Sequence, residues 1–156
     1  MHENTIIVPK EQLNDYVGKE LGPTDWVTLD QQRINQFADV TLDHQFIHTD
    51  PVAAANTPFG GTIAHGYLTL SLLAHFQGQM SILPEGTAMG VNYGLNKVRF
   101  LTPVKAGKRV RCRSVPLSFE EKKPGQFLCA FKLTVEIEGE TSPALIAEAL
   151  YMSITG

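Results

Sequence analysis

The stretch from Ile63 to Phe76 constrains the fold most, because it is apolar on nearly every side of a helix. Its apolar residues are Ile63, Ala64, Tyr67, Leu68, Leu70, Leu72, Leu73, Ala74 and Phe76. A helix that is apolar all round must be buried on all sides. The stretch is too short to span a bilayer, and His65 and His75 interrupt it. We therefore predict a central helix, with Thr62 as its N-cap, that the rest of the chain surrounds.

Helical patterns precede this stretch. Lys10 to Leu21 has amphipathic spacing before Gly22-Pro23. Thr28 and Gln31 match a capping box for a helix that ends near Val40. Asp50 and Pro51 can begin a short helix.

After Gly86 the pattern changes to alternation between apolar and polar residues, which is typical of strands. Val91, Tyr93 and Leu95 form one such row, and three short turns separate the later strands. Helices followed by antiparallel strands predict an α+β fold. We expect one curved antiparallel sheet wrapped around a long central helix, the hot-dog fold.

Bulk composition predicts an ordinary globular protein. The 156 residues suit one domain, which we place at 1–156, and neither a repeat nor a linker divides them. With 43% hydrophobic and 19% charged residues, neither a disordered nor a membrane protein is indicated. The first five residues carry no signal pattern, so we expect a cytoplasmic protein. Cys112 and Cys129 match no disulfide or zinc framework, and we expect two buried thiols.

The charges are unevenly distributed along the chain. The net charge of -3 argues against general nucleic-acid binding. Seven of the 13 Lys and Arg residues nevertheless lie between Lys97 and Arg113, with no acidic residue among them. This segment could receive a phosphorylated small molecule. The alternative is that its cations are outward-facing residues of strands.

Ionisable side chains crowd the segment before the central helix. Asp43 and His48 are five positions apart, and a turn there can direct both at one water molecule. A carboxylate and an imidazole that share a water can take its proton and return one. In the alternative interpretation, Asp43 caps a turn and His48 packs on the core. His44 and His48, with Asp43 or His65, could instead bind zinc.

The start of the central helix offers backbone N–H groups that can hold a carbonyl oxygen as it gains negative charge. Gly66 has no side chain, so a substrate could approach its backbone closely. The alternative is that Gly66 only allows close packing of the helix. The sequence contains no nucleophile elbow, Walker loop or dinucleotide fingerprint.

Three blocks of sequence resemble the MaoC-like dehydratase family, and more narrowly its nodulation-protein-N-like branch. They are Phe37 to His48 (FADVTLDHQFIH), Asp50-Pro51, and Pro58 to Gly66 (PFGGTIAHG). The resemblance implies a hot-dog fold and (R)-specific hydration of trans-2-enoyl-CoA to (R)-3-hydroxyacyl-CoA. One departure is that Gln45 and Phe46 stand where the family's usual pattern has Asn and Pro.

The resemblance also implies roles for individual residues. Asp43 and His48 would hold the water, and Gly66, next to His65, would bind the thioester oxygen. We assign substrate contacts to Gln45, Phe59, Lys97, Arg99 and Arg111, the last three as candidates for the CoA phosphates. We expect neither a metal nor a redox cofactor, because the thioester itself activates C3. A hot-dog thioesterase and a non-catalytic acyl-thioester-binding protein are the alternatives.

The expected sheet also predicts an oligomer. One sheet covers the central helix on one side only, and an unpaired edge strand tends to be paired or covered. Pairing two sheets through a two-fold axis would satisfy both copies. We therefore expect a homodimer or a multiple of one. The resemblance implies the same assembly, with the acyl chain between the two central helices.

Overall fold

A computed structural model describes residues 4–156 as seven strands and five α-helices. The strands are β1 Ile6–Val8, β2 Val27–Thr28, β3 Ile82–Pro84, β4 Thr87–Phe100, β5 Arg109–Lys123, β6 Gln126–Ile137 and β7 Leu145–Thr155. The helices are α1 Gln31–Thr41, α2 Phe46–Thr49, α3 Pro51–Ala54, α4 Gly66–Ser71 and α5 Leu73–Gln79. The α+β prediction is confirmed. Residues 1–3, on which part of the signal-peptide prediction depends, lie outside the described residues.

One antiparallel sheet of five strands, in the order β2-β5-β6-β7-β4, forms the scaffold. A small parallel pair, β1 with β3, lies apart from it. Side chains from α4 and α5 pack against the sheet in one core, which includes Leu68, Leu73, Phe76, Leu133 and Leu145. None of the helices within residues 4–156 combines the length and the apolar character that a bilayer crossing requires.

The central helix differs from its prediction in where it begins. It starts at Gly66 rather than after Thr62, because Ile63 and Ala64 hydrogen-bond to distant backbone. The Ile63 N–H donates to Ile47 O at 3.0 Å, and the Ala64 N–H donates to Val104 O at 2.7 Å. The prediction of Thr62 as the N-cap is therefore wrong.

The central helix is also interrupted, and it is not buried on all sides. At Leu72 the N–H is shared between the carbonyls of Leu68 and Thr69, a local tightening that separates α4 from α5. Tyr67 is 68% exposed, and Ser71, Ala74 and Gly78 are exposed on the same side of the chain. In a single copy of the protein the central helix therefore has an open side.

Two predictions near the N-terminus are wrong. Lys10–Tyr16 forms a 3-10 helix that buries only Leu13, and Leu21 pairs with Ser114 as extended chain. Helix α1 is capped by Asp30, whose Oδ1 accepts from the Arg33 N–H at 2.8 Å, because Thr28 belongs to β2.

Other predictions are confirmed. Asp50 caps α3 and Pro51 is its first residue. Cys112 and Cys129 are buried free thiols, and burial raises their pKa values to about 12 and about 11.

Strand β4 does not keep the simple alternation that the sequence predicts. Its register against β7 shifts between Asn92 and Gly94 and again between Leu95 and Lys97. Leu95 is thus opposite the buried Ala149, whereas Val91 is opposite Met152. Cross-strand partners share a face and successive residues alternate, so Val91 and Leu95 lie on opposite faces. Nearly every residue of this edge strand is exposed.

Candidate active site

The segment between α1 and α4 is shaped by local hydrogen bonds. Helix α1 ends at Thr41, the next residue, Leu42, has a left-handed φ of 65°, and the chain then turns at Asp43. The Asp43 carboxylate accepts from the Gln45 N–H at 3.3 Å. Directly after α2, Asp50 accepts from the N–H groups of Val52 and Ala53 and caps α3. The turn therefore brings Asp43 close to His48 without a long element of secondary structure.

His48 is held in one orientation by backbone. Its Nδ1 lies 2.7 Å from Ile63 O, and a carbonyl oxygen only accepts, so Nδ1 carries the proton. His48 is 7% exposed, and this burial is the largest cause of a lowered pKa; the neighbouring His65 acts in the same direction. The Ile63 carbonyl and Asp43 act in the opposite direction without reversing the shift. At neutral pH the ring is therefore uncharged, with a lone pair on Nε2.

His65 braces the same site from the other side. Its Nε2 lies 2.9 Å from the Asp43 carbonyl oxygen, to which it donates. Its ring stacks on His48 with centroids 3.9 Å apart, and Phe37 packs against it at 5.0 Å. His65 is 2% exposed. His65 therefore supports both Asp43 and His48 by direct contact.

Asp43, His48 and His65 form a close cluster. One oxygen or nitrogen atom of each lies within 4.8 Å of the others. A water that hydrogen-bonds to two groups tolerates a separation of up to about 5.5 Å between them, twice an ordinary hydrogen-bond length. Asp43 and His48 can therefore share a water. Histidine nitrogens and a carboxylate oxygen are also common metal ligands, so the same three side chains could hold a cation.

A cavity of about 190 Å³ opens beside this cluster. His48 and Gly66 both line it, together with Thr69, Phe100 and Val104. A Cβ at position 66 would lie 3.0 Å from Cδ1 of Phe100, closer than ordinary packing allows. Gly66 is also the first residue of α4, where N–H groups have no partner inside the helix. The absence of a side chain thus brings backbone to the cavity and lets Phe100 pack.

The other predicted substrate residues lie outside this cavity. Gln45 is exposed and Phe59 is half-buried, and neither lines it. His44, considered as a zinc ligand, is paired with Asp39 at 2.9 Å and is not part of the cluster.

The basic segment does not form one surface. Lys97 and Arg99 are opposite Glu148 and Ile146, on the face of β4 away from the core. Arg111 is on β5, with β6 and β7 between it and β4. There it pairs with Glu136 at 2.8 Å and stacks over Trp26 at 4.3 Å. Arg111 is therefore an outward-facing strand residue, as the alternative interpretation of the basic segment predicted. The structure does not bring it to the cluster.

Two residues that sequence reasoning missed help to build the site. Gln31 donates to the His48 carbonyl at 2.7 Å and accepts from the Thr62 hydroxyl, so it ties α1 to both sides of the cluster. Neither the residue type of Gln31 nor its position in a helix predicts a contact with His48, which is 17 residues away in the sequence. Phe100 forms one wall of the cavity, although its sequence pattern indicated only a strand residue.

Two further cavities lie beyond the first, in the groove between the helices and strands β4 and β7. The middle one has a volume of about 200 Å³ and is lined by Leu70, Leu73, Leu95 and Ala149, among others. The last one, of about 320 Å³, shares Ala74 and Tyr151 with it. The lining residues advance steadily along α4 and α5. The first cavity shares no lining residue with the middle one, but Thr69 and Leu70 are consecutive, so the three cavities lie in order along the central helix from Gly66 to Gln77.

Comparison with known proteins supplies the family context. The family model for the MaoC like domain matches residues 12–127. A Mycobacterium tuberculosis protein named 3-hydroxyacyl-thioester dehydratase Z is 48% identical, over 85% of this chain and 87% of its own. Nodulation protein N of Rhizobium leguminosarum bv. viciae is 51% identical, over 94% of this chain and 89% of its own.

Solved structures show the same fold. A monoamine oxidase regulatory protein from Archaeoglobus superimposes with a TM-score of 0.79 at 22% identity, covering 100% of this chain and 99% of its own. An (R)-hydratase from A. caviae gives a TM-score of 0.71 at 24% identity, covering 86% and 94% respectively. At these identities the likeness concerns the fold, and it confirms the hot-dog prediction.

Proposed function

The chain belongs to the MaoC-like dehydratase family, and from that premise we propose that it catalyses reversible hydration of trans-2-enoyl thioesters to (R)-3-hydroxyacyl thioesters. One observation carries the proposal: His48 and Gly66 line the same cavity, and the Asp43 carboxylate lies beside His48. An acid–base pair and a carbonyl-binding backbone group are the two components that this reaction requires.

In the hydration direction, Asp43 and His48 hold a water between them. His48 is neutral and presents Nε2, so it can accept a proton as the water oxygen attacks C3 of the enoyl group. Electrons from the C2–C3 double bond move toward the thioester oxygen, which accepts a hydrogen bond from the Gly66 N–H. A proton returned by the acid–base pair at C2 completes the addition. The overall change is the addition of one water, and no oxidant or reductant takes part.

The groove beyond Gly66 would hold the acyl chain. Its middle section is lined mainly by apolar residues of α4, α5 and the two neighbouring strands, which suits a hydrocarbon chain. The relative named 3-hydroxyacyl-thioester dehydratase Z supports a thioester of a fatty acid as the substrate class. We propose CoA as the carrier.

The direct test is hydration of crotonyl-CoA, measured as loss of the conjugated thioester absorbance. We expect turnover, and we expect it to persist in EDTA because the mechanism uses no metal. Release of free thiol without loss of the double bond would indicate a thioesterase instead. Tight binding of crotonyl-CoA without turnover would indicate an acyl-binding protein and would refute the proposal.

Cations without an ion-pair partner are candidates for binding the CoA phosphates. Within residues 4–156, Lys97, Arg99 and Lys105 have no ion-pair partner, whereas Arg111 is paired with Glu136. Exposed charge pairs are screened by salt, so we expect KM for crotonyl-CoA to rise with ionic strength. Lys97→Gln, Arg99→Gln or Lys105→Gln should raise KM and flatten this dependence, and Arg111→Gln should not. A KM that is flat from low to high salt contradicts phosphate binding by these cations.

A further inference from the structure

The far end of the groove holds a buried amide, Gln77, that its middle section lacks. The cavity of about 320 Å³ lies between α5 and strands β4 and β7. Polar side chains of Gln77, Asn92, Tyr151 and Ser153 line it beside apolar ones. None of its described lining residues is charged. Ser153 already shares a hydrogen bond with Thr87, whereas a purely hydrocarbon chain would leave the Gln77 amide oxygen without a partner.

Gln77 is the most conspicuous of these side chains. It is 8% exposed, and within residues 4–156 its Oε1 is buried without a hydrogen-bond partner. Native proteins leave few buried polar atoms in this state, because an unmade hydrogen bond costs free energy. Rotation about the terminal torsion exchanges the oxygen and the nitrogen of the amide. Gln77 can therefore offer either an acceptor or a donor to a group in the cavity.

We propose that Gln77 determines specificity by hydrogen-bonding a hydroxyl group carried far along the acyl chain. The proposal rests on the function proposed above. A hydroxyl both donates and accepts, so it matches either orientation of the amide. Because the described lining residues include no Lys, Arg or His, the cavity offers no charge to stabilise a carboxylate. Tyr151, whose pKa burial raises to about 12, keeps its hydroxyl proton at neutral pH and adds a second polar contact.

The length of the groove indicates where along the chain the hydroxyl lies. Gly66 and Gln77 are 11 residues apart on the central helix, a distance of roughly 16 Å at about 1.5 Å per residue. An extended chain advances roughly 1.2 Å per bond, so about 13 bonds cover this distance. With the thioester oxygen at Gly66, the hydroxyl falls near the twelfth carbon.

Calorimetric binding of two saturated, unreactive thioesters tests this. The probes are 12-hydroxydodecanoyl-CoA and tridecanoyl-CoA, which place a hydroxyl or a methyl group at the same position. We expect the wild-type protein to bind the hydroxylated probe more tightly. Gln77→Leu and Gln77→Met should each shift the ratio of the two dissociation constants by about tenfold toward tridecanoyl-CoA. Butyryl-CoA, which does not reach Gln77, should bind equally to all three proteins and reports that the variants are folded.

A wild-type protein that prefers tridecanoyl-CoA overturns the inference without any variant, and so does a ratio that neither substitution changes. Failure of both long probes to bind where butyryl-CoA binds has the same consequence. The crotonyl-CoA assay separates this outcome from the proposed function. If crotonyl-CoA is hydrated and the ratio does not depend on Gln77, only the specificity inference fails. If the ratio holds and no hydration occurs, only the proposed reaction fails.

Discussion

The stacked rings of His48 and His65 each have one nitrogen committed to a backbone carbonyl. This fixes both imidazoles before any substrate arrives. The nitrogen that remains on His48 carries a lone pair, since a neutral ring protonated at Nδ1 has Nε2 free. Preorganisation of this kind is what allows a general base to act without paying for its own reorientation.

Substitution of the acid–base pair should abolish most activity and preserve the fold. We expect Asp43→Asn and His48→Gln each to lower kcat by about 10²–10⁴-fold. The two effects should not multiply, because both residues serve one water. His44→Gln is the matched control: it changes a neighbouring histidine that is bonded to Asp39 outside the cluster. A double variant that shows the full product of the single losses contradicts a shared water.

The lowered pKa of His48 predicts the acidic limb of the pH profile. The base must be neutral, so kcat/KM should fall on acidification with an apparent pKa below the ordinary 6.5. Measurement with a short enoyl-CoA from about pH 5 to about pH 8 covers this range. A limb centred above 6.5 would show that burial does not dominate the pKa of His48.

The same shift predicts how stability depends on pH. His48 has a lower pKa folded than unfolded, so on acidification the unfolded chain takes up its proton first. The contribution of His48 is fully present above about pH 6.5 and is lost as pH falls through the folded pKa. Urea unfolding should therefore show a shallower decline on acidification for His48→Gln than for wild type.

At this scale the sequence predicted that Asp43 and His48 lie together, but not which residues support them. Residue type, spacing and the family resemblance together pointed to this pair, and the structure places the two side chains side by side. The contact of His65 with the Asp43 carbonyl joins residues 22 positions apart, and that of Gln31 with His48 joins residues 17 apart. Such contacts depend on how α1, the polar segment and α4 are docked, which no local pattern encodes.

Among the elements, the start of α4 against β4 is the tightest point of the site. A methyl group at Gly66 would meet the ring of Phe100, which is 50% exposed and can give way. We expect Gly66→Ala to change the free energy of unfolding by less than ~2 kcal/mol, near the lower range for overpacking. We expect a large loss of kcat/KM for crotonyl-CoA despite this small change in stability, because the methyl group and the displaced ring of Phe100 enter the cavity.

The double variant Gly66→Ala/Phe100→Leu distinguishes crowding from loss of the backbone donor. Leucine at position 100 is smaller than phenylalanine and makes room for the methyl group of the alanine at position 66, while the backbone N–H at that position is unchanged. We expect kcat/KM for crotonyl-CoA to recover in part relative to Gly66→Ala alone. Phe100→Leu alone is the control. No recovery in a folded double variant means that close approach of substrate to Gly66, rather than packing, requires glycine.

The elements with strong local signals were predicted well. Alternating residues gave β5, β6 and β7, and the Asp50-Pro51 pair gave α3. The wrong predictions share a cause: distant backbone competes for the same groups. Thr62 and Ile63 are compatible with a helix in sequence. In the structure, however, the Ile63 N–H donates to the Ile47 carbonyl, and Ile63 forms a β-bridge with Lys105. The bulges in β4 likewise arise from its register with β7, and alternation alone predicted a single apolar face.

For the molecule as a whole, one face is left open in a single copy. Strand β4 is the edge of the sheet, extends over 14 residues and is exposed along nearly its entire length. Met89, Val91 and Tyr93 are 46–62% exposed on it, and Tyr67 lies exposed on the neighbouring helix. Long exposed edges with apolar side chains are uncommon, because they pair with other chains. We therefore expect one binding partner to cover both the open side of the central helix and the exposed edge strand β4.

We expect a second copy of the chain to supply that cover, with β4 strands paired across a two-fold axis. Sedimentation equilibrium at micromolar concentration should then give twice the chain mass, or a multiple of that. Val91→Lys/Tyr93→Lys should weaken association, because it places like charges on both copies of the edge. Leu117→Lys, at an exposed apolar residue of β5 across the sheet, is the matched control and should not. A wild-type sample that hydrates crotonyl-CoA at the mass of one chain contradicts the dimer and any active site shared between subunits.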